Sequence, residues 1–234
     1  ANFLALARNG DIAGDYFAFA DQDDLWYADK LARALTWLEG LPPGQAALYC
    51  ARTDYIDADD RLLGRSPRYR RPPAFANALV QNIAGGNTMV FNPAARALIA
   101  SLRPDTPVIV HDWWAYQIVA GAGGTVHHDD RPCLGYRQHA GNLIGSNAGL
   151  YSRAQRAWQS LLGTHRAWQD TQIAALAGVA TRLTAANAAC LAHYRTTREA
   201  GPLARVAGIL QAGLYRQTLV QQAWLLTQAA LRRI

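Results

Sequence analysis

The stretch Asp15-Tyr16-Phe17-Ala18-Phe19-Ala20, followed at once by Asp21-Gln22-Asp23-Asp24-Leu25-Trp26, decides the fold reading. The apolar, aromatic run predicts a short buried strand, and it stops abruptly in three carboxylates. In open α/β sheets ligands bind beyond the carboxyl ends of strands. Hard oxygen ligands placed there can hold a divalent cation, and the cation can bridge phosphates. An acidic triplet is also an ordinary solvated turn that caps the next helix. The buried strand in front of it favours the functional alternative.

Outward from this stretch, the pattern alternates. A helix is predicted from Tyr27 to Glu39, with Leu31, Leu35 and Leu38 on one stripe and Gly40 and Pro42-Pro43 closing it. Ala46–Ala51 reads as a second strand, Asp57–Asp60 as an acidic turn, and 61–73, rich in Arg and Pro, as an exposed loop. Asn77–Gln81 reads as helical. Gly85-Gly86 opens a strand over Asn87–Phe91, and Pro93 starts a helix in its favoured first-turn position. Residues 111–120 form another helix, stopped by the glycines at 121, 123 and 124. Thr125–His128 and Cys133–Arg137 are short strands, with 138–149 a loop rich in Gly and Asn. This alternation predicts an α/β domain over residues 1–149. Residues 150–234 read as helices only, broken near Gly201-Pro202.

Composition sharpens the division. Half of the 234 residues are hydrophobic, which excludes disorder and suffices for a substantial core. No apolar run reaches the roughly 18 residues of a membrane-spanning helix. Three widely spaced cysteines exclude a disulfide scaffold and fit a reducing compartment. Residues 1–149 carry 15 acids and 13 bases; residues 150–234 carry 2 acids and 10 bases, so the net +6 comes from the back of the chain. Ala1–Arg8 reads as the end of a helix closed by Asn9-Gly10, for which a preceding element is expected.

Two phosphate chemistries use an Asp-x-Asp at a strand end. Haloacid-dehalogenase-type phosphatases need Gly-Thr or Gly-Val after the second Asp and a lysine well downstream. Here Asp24-Leu25 follows and Lys30 is the one lysine, which excludes them. The other is the nucleotide-sugar glycosyltransferase. Asp21-Gln22-Asp23-Asp24-Leu25-Trp26 with Lys30-Leu31 resembles the metal-binding stretch of family 2 glycosyltransferases, especially rhamnosyltransferase-like members. Gly85-Gly86-Asn87-Thr88-Met89-Val90-Phe91-Asn92 resembles their acceptor-side strand, His111-Asp112-Trp113-Trp114 their catalytic-base segment, and Tyr136-Arg137-Gln138-His139 with Gly141-Asn142 their closing loop. The resemblance implies a GT-A-like, Rossmann-like mixed sheet with flanking helices, N-terminally truncated because the usual nucleotide-binding segment does not precede Ala1, plus a C-terminal helical extension.

The resemblance also implies roles. Asp23, Asp21 and His139 would hold Mg²⁺ or Mn²⁺, which neutralises a departing diphosphate. Asp21 and Asp24 would meet the donor, Asp24 alternatively acting as a helix cap. Arg137 would bind the diphosphate with its guanidinium fork, or make a surface ion pair. Asp112 would be the general base of an inverting transfer. Its alternative is a helix N-terminal acid, where the macrodipole is expected to lower its pKa. Gly86 and Asn87 would border the acceptor, with Trp113 and Trp114 as an apolar wall, although neighbours on a helix cannot both face one way.

The implied partners are a nucleotide-sugar donor such as dTDP-rhamnose and a glycan or lipid-linked glycan acceptor on a bacterial surface polysaccharide. His127-His128-Asp129-Asp130 reads as a plain strand end, because alternation splits neighbours between faces. Val206, Ile209, Leu210 and Leu214 give the basic tail an apolar face. That face suits an anionic membrane surface, at a cytoplasmic location, or packing on its own domain or a second copy. Nucleic acid is excluded as a partner, since no binding module is present. The alternative function is a non-catalytic glycosyltransferase remnant serving as a binding or assembly module.

Overall fold

The computed structural model describes residues 2–138 and 164–234. The elements are α1 (Asn2–Arg8), β1 (Phe17–Ala18), β2 (Leu25–Trp26), α2 (Lys30–Glu39), β3 (Ala47–Ile56), β4 (Leu62–Arg65), α3 (Phe75–Ala78), β5 (Val90–Phe91), α4 (Pro93–Ala100), α5 (His111–Gly121) and β6 (Thr125–Arg137). Four further helices follow: α6 (Thr164–Gly178), α7 (Ala185–Glu199), α8 (Pro202–Gln211) and α9 (Leu219–Ala230). The six strands form one mixed sheet in the order β1-β5-β3-β6-β2, with β4 also on β3.

β3 is the spine of that sheet. It runs parallel to β6 along one edge. Along the other it pairs first with β5, through Leu48 and Tyr49, and then with β4, from Asp54 to Ile56. Between the two partners the Ala51 N–H finds the Thr88 hydroxyl, 3.2 Å away, and this draws the 85–88 segment against the strand. Side chains alternate across the sheet with the two-residue period of a strand. Ala47, Tyr49 and Ala51 pack with Ala34 and Leu38 of α2, whereas Leu48 and Cys50 join the larger core with α3, α4 and α5.

α5 is apolar on almost every side, the pattern of a buried helix. Trp113 through Gly121 are all buried. The indole N–H groups donate to the carbonyls of Ala78 (Trp113, 2.7 Å) and Ile99 (Trp114, 3.0 Å), which removes the cost of burying them.

Several boundaries differ from the sequence reading. The aromatic run is an edge strand of two residues, with Phe19 buried but Ala18 and Ala20 exposed, because β5 is its one neighbour in the sheet. α2 starts at Lys30, three residues late, since Trp26 still pairs with Leu134 and Tyr27 donates to the Cys133 carbonyl. The 61–73 loop contains β4. Gly86–Thr88 is a 3-10 turn instead of strand, because the Thr88 hydroxyl folds back onto the Gly85 carbonyl.

The segment 164–234 contributes Ile173, Leu176, Leu191, Tyr194, Ile209, Leu214, Leu225 and Ile234 to the same core as Phe75 and Trp114. Thus Ile209 and Leu214 of the expected apolar tail face are buried, while Leu210 stays exposed. Arg205 is also buried, its guanidinium spent on the carbonyls of Ala200, Ala229 and Ala230. Among the described residues no helix is long and apolar enough to cross a membrane.

α7 and α8 meet at Gly208, where an added Cβ would lie 3.0 Å from the Thr197 Cβ and closer still to its methyl and hydroxyl. Gly208→Ala is expected to cost about 1–3 kcal/mol of stability through overpacking, read from the urea midpoint, with partial recovery in the Thr197→Ala background.

Candidate active site

A cleft of about 1350 Å³ opens where the acidic turn, the 85–88 segment and the start of α5 converge. Asp21, Asp23, Gly86, Asn87, Asp112 and Tyr136 all line it. The sequence-predicted carboxylates and base are therefore brought together, although Asp112 lies far from the turn in the chain.

The acidic turn lies between β1 and β2. Its carboxylates crowd one another. Burial raises the pKa of Asp21, and Asp23 raises it further, against the opposing pull of Lys30. Burial pushes Asp24 up to about 6, while the Asn87 amide, donating to Oδ2, opposes the rise. The other oxygen, Oδ1, is buried without a hydrogen-bond partner. Asp24 is not a helix cap: the residue at the N-terminus of α2 is Asp29, and the Asp24 carboxylate points to Asn87.

Lys30 completes this corner, and the sequence reading assigned it no role. Its ammonium is fully buried, 2.6 Å from the Asn87 carbonyl oxygen and 3.4 Å from the centroid of the Trp26 ring. Burial lowers its pKa to about 8. Its position as the sole lysine, inside the acidic motif, was the one sequence signal for it.

On the other side, Asp112 Oδ2 accepts from the Gly86 N–H at 3.2 Å and Oδ1 from the Trp113 N–H at 2.6 Å. Burial nevertheless raises its pKa to about 6, outweighing these hydrogen bonds and one from Asn82. The lowered pKa expected of a helix N-terminal acid is thus reversed, since desolvation outweighs the exposed amides. His111 stacks on Phe3 at 4.2 Å, and burial lowers its pKa to about 4, so it stays neutral.

Trp113 and Trp114 do not form an apolar wall for the acceptor. Both indoles are buried in the core, because α5 uses its whole circumference for packing. The Arg137 guanidinium donates to the carbonyls of Asp23, Asp57 and Ala58 and to the Asp60 carboxylate, and so ties the β3–β4 turn to the acidic turn. His139, with Gly141 and Asn142, lies outside the described residues.

Among the described residues no three His, Cys, Asp or Glu side chains form a metal cluster. His127 and His128 face opposite ways, towards Trp37 and Tyr69 respectively, as strand alternation predicts. The acidic turn suits a cation held by one or two carboxylates and by phosphate oxygens of a ligand, the usual Mg²⁺ arrangement. The partnerless Asp24 oxygen and the mutual repulsion of Asp21 and Asp23 are the features that such a cation would relieve.

No family model matches the chain. A search of curated proteins finds dTDP-rhamnosyl transferase RfbG of Shigella flexneri, 26% identical over 164 residues, covering 66% of this chain and 54% of that protein. The likeness is to a glycosyltransferase. The chain spans about half the length of this curated relative. The mixed sheet with flanking helices is compatible with a Rossmann-like glycosyltransferase fold.

The two neighbouring glycines are not equivalent. A Cβ on Gly86 would stand 2.4 Å from His111 Nε2 and 3.2 Å from the Asp112 Cβ, whereas one on Gly85 would meet the Asn87 side-chain oxygen at 3.3 Å and the Thr88 methyl at an ordinary 3.9 Å. Gly86→Ala is expected to cost about 1–3 kcal/mol, and Gly85→Ala less than about 1 kcal/mol, in matched thermal melts.

Proposed function

We propose that the chain carries the catalytic site of an inverting, metal-dependent glycosyltransferase. On this reading it moves a sugar from a nucleoside-diphosphate donor, dTDP-rhamnose being the named case of its relative, to a hydroxyl of a growing bacterial surface glycan. The observation that carries the reading is one cleft lined both by the acidic turn and by a carboxylate poised near neutrality, the two joined through consecutive residues Gly86 and Asn87.

Each residue then has a task. Asp23 and Asp21 would hold Mg²⁺ or Mn²⁺ with the donor's phosphate oxygens, with Asp24 behind them. When bound, that ion supplies positive charge to a departing diphosphate. Asp112 takes the proton from the acceptor hydroxyl. As the acceptor oxygen bonds to the anomeric carbon, the bond from that carbon to the phosphate oxygen breaks, and its electron pair leaves with the diphosphate. A single displacement inverts the anomeric centre. The Gly86 N–H steadies the Asp112 carboxylate, and Asn87 keeps Asp24 turned towards the same segment.

A base works in its ionised form, so turnover should fall tenfold per pH unit below about 6, the pKa of Asp112, and stay flat above it. Asp112→Asn should lose turnover and keep nucleotide binding; unchanged turnover would remove Asp112 from the mechanism.

In calorimetric titration, thymidine diphosphate with Mn²⁺ should bind and Asp23→Ala should abolish that binding. Absence of any metal-dependent binding, by this chain or a longer one extended at the front, would leave the chain as a non-catalytic module.

A further inference from the structure

We propose that Tyr136, Tyr55, Tyr69 and His128 form a track for a saccharide acceptor of two or more units. This inference rests on the glycosyltransferase reading and says where its acceptor lies.

All four rings line the cleft. Tyr136, near the end of β6, lies close enough to the acidic turn to feel the charges of Asp24, Asp21 and Asp23. Its ring centroid is 6.4 Å from that of Tyr55, its partner across β3 and β6. Tyr69 stands edge-on to His128 at 5.1 Å, and both line the cleft with Tyr55. The row therefore leads away from the carboxylates along the sheet.

The chemistry of the row suits a sugar chain. The ring pairs are inclined by 59° and 62°, so they do not form a parallel slot for a flat base. Inclined aromatic faces with hydroxyl tips offer apolar surface to the C–H faces of pyranoses and hydrogen bonds to their hydroxyls. Burial holds the phenols of Tyr136 and Tyr69 up at about 12 and the His128 imidazole down at about 4, so these three rings are uncharged at neutral pH. A diphosphate belongs at the acidic turn, where a cation can meet it; a neutral chain belongs here. The cleft exceeds the roughly 300–1,000 Å³ of ordinary small-molecule sites, leaving room for an acceptor beside a donor.

The wall is also held in place. Ser66 exchanges two hydrogen bonds with Thr53, both 2.9 Å, and its carbonyl accepts from the Arg52 guanidinium. Arg68 pairs with Asp130 at 2.5 Å. Beyond Tyr69, the backbone of Arg71 is bonded in both directions to the Gln217 amide, and the Tyr215 hydroxyl donates to the Pro72 carbonyl. The segment after α8 thus braces the loop that presents Tyr69. A preorganised wall lowers the ordering cost of binding.

The test uses the whole chain, calorimetric titration, and two kinds of probe: neutral oligosaccharides of one, two and four units, oligorhamnosides included, and thymidine diphosphate with Mn²⁺. Affinity should rise with saccharide length. Tyr69→Ala should weaken the tetrasaccharide about tenfold and leave the nucleotide unchanged. Gln217→Ala, which does not touch the cleft, should weaken the tetrasaccharide by a smaller factor. Circular dichroism and an unchanged nucleotide affinity would show that both variants fold. The track is overturned if no oligosaccharide binds, if Tyr69→Ala leaves saccharide binding unchanged, or if it weakens the nucleotide, which would make Tyr69 a base-stacking residue. Saccharide binding without nucleotide binding in the wild type would keep the track and defeat the transferase reading.

Discussion

The Lys30 ammonium is sealed from solvent between the Trp26 ring and the Asn87 carbonyl, and an isolated charge in such a place is costly unless partners surround it. Its electrostatic partners include Asp24 and Asp21. The same Asn87 that receives the ammonium on its carbonyl turns its amide to Asp24. One residue before it, the Gly86 N–H meets Asp112; one residue after it, the Thr88 hydroxyl meets β3. Four consecutive residues, 85–88, thereby fix the acidic turn, the candidate base and the sheet relative to one another.

This geometry explains why two carboxylates held by the consecutive residues Gly86 and Asn87 have pKa values near 6 for different reasons. Asp24 is held up by burial and by neighbouring carboxylates, against the Asn87 amide and the Arg137 backbone. Asp112 is held up by burial alone, against several hydrogen bonds. A cation would lower the first directly and leave the second, held by backbone amides, as the proton acceptor.

The helical segment adds a mechanical contribution. Its buried side chains extend the core that surrounds α5, its polar links to Arg71 and Pro72 hold the long loop between β4 and α3, and those to Asn77 and Val80 hold α3 and the residues after it. A loop of that length with so many arginines has little apolar surface of its own. It is ordered by its own Arg68 and Arg71, which reach the Asp130 carboxylate and the Arg216 carbonyl, and by Arg52 of β3, whose guanidinium holds the Ser66 carbonyl.

Much of the local structure was legible from the chain itself. Apolar periodicity located α2, the glycines after residue 120 marked the end of α5, Pro93 marked the start of α4, and alternation separated His127 from His128, because each of these depends on neighbours within a few residues. The grouping of Asp21, Asp23, Asp24 and Asp112 around Gly86 and Asn87 was legible only through the order of motifs. What tertiary structure alone decided depends on contacts between distant residues. An aromatic pair at the start of α5 reads equally well as a wall or as core until the sheet and α4 close over it. Asp112 rises in pKa instead of falling because desolvation is a property of everything packed around it. Tyr69, in a stretch that reads as exposed loop, lines the cleft because Thr53 and Gln217, on either side of it in space and far apart in sequence, hold its flanks.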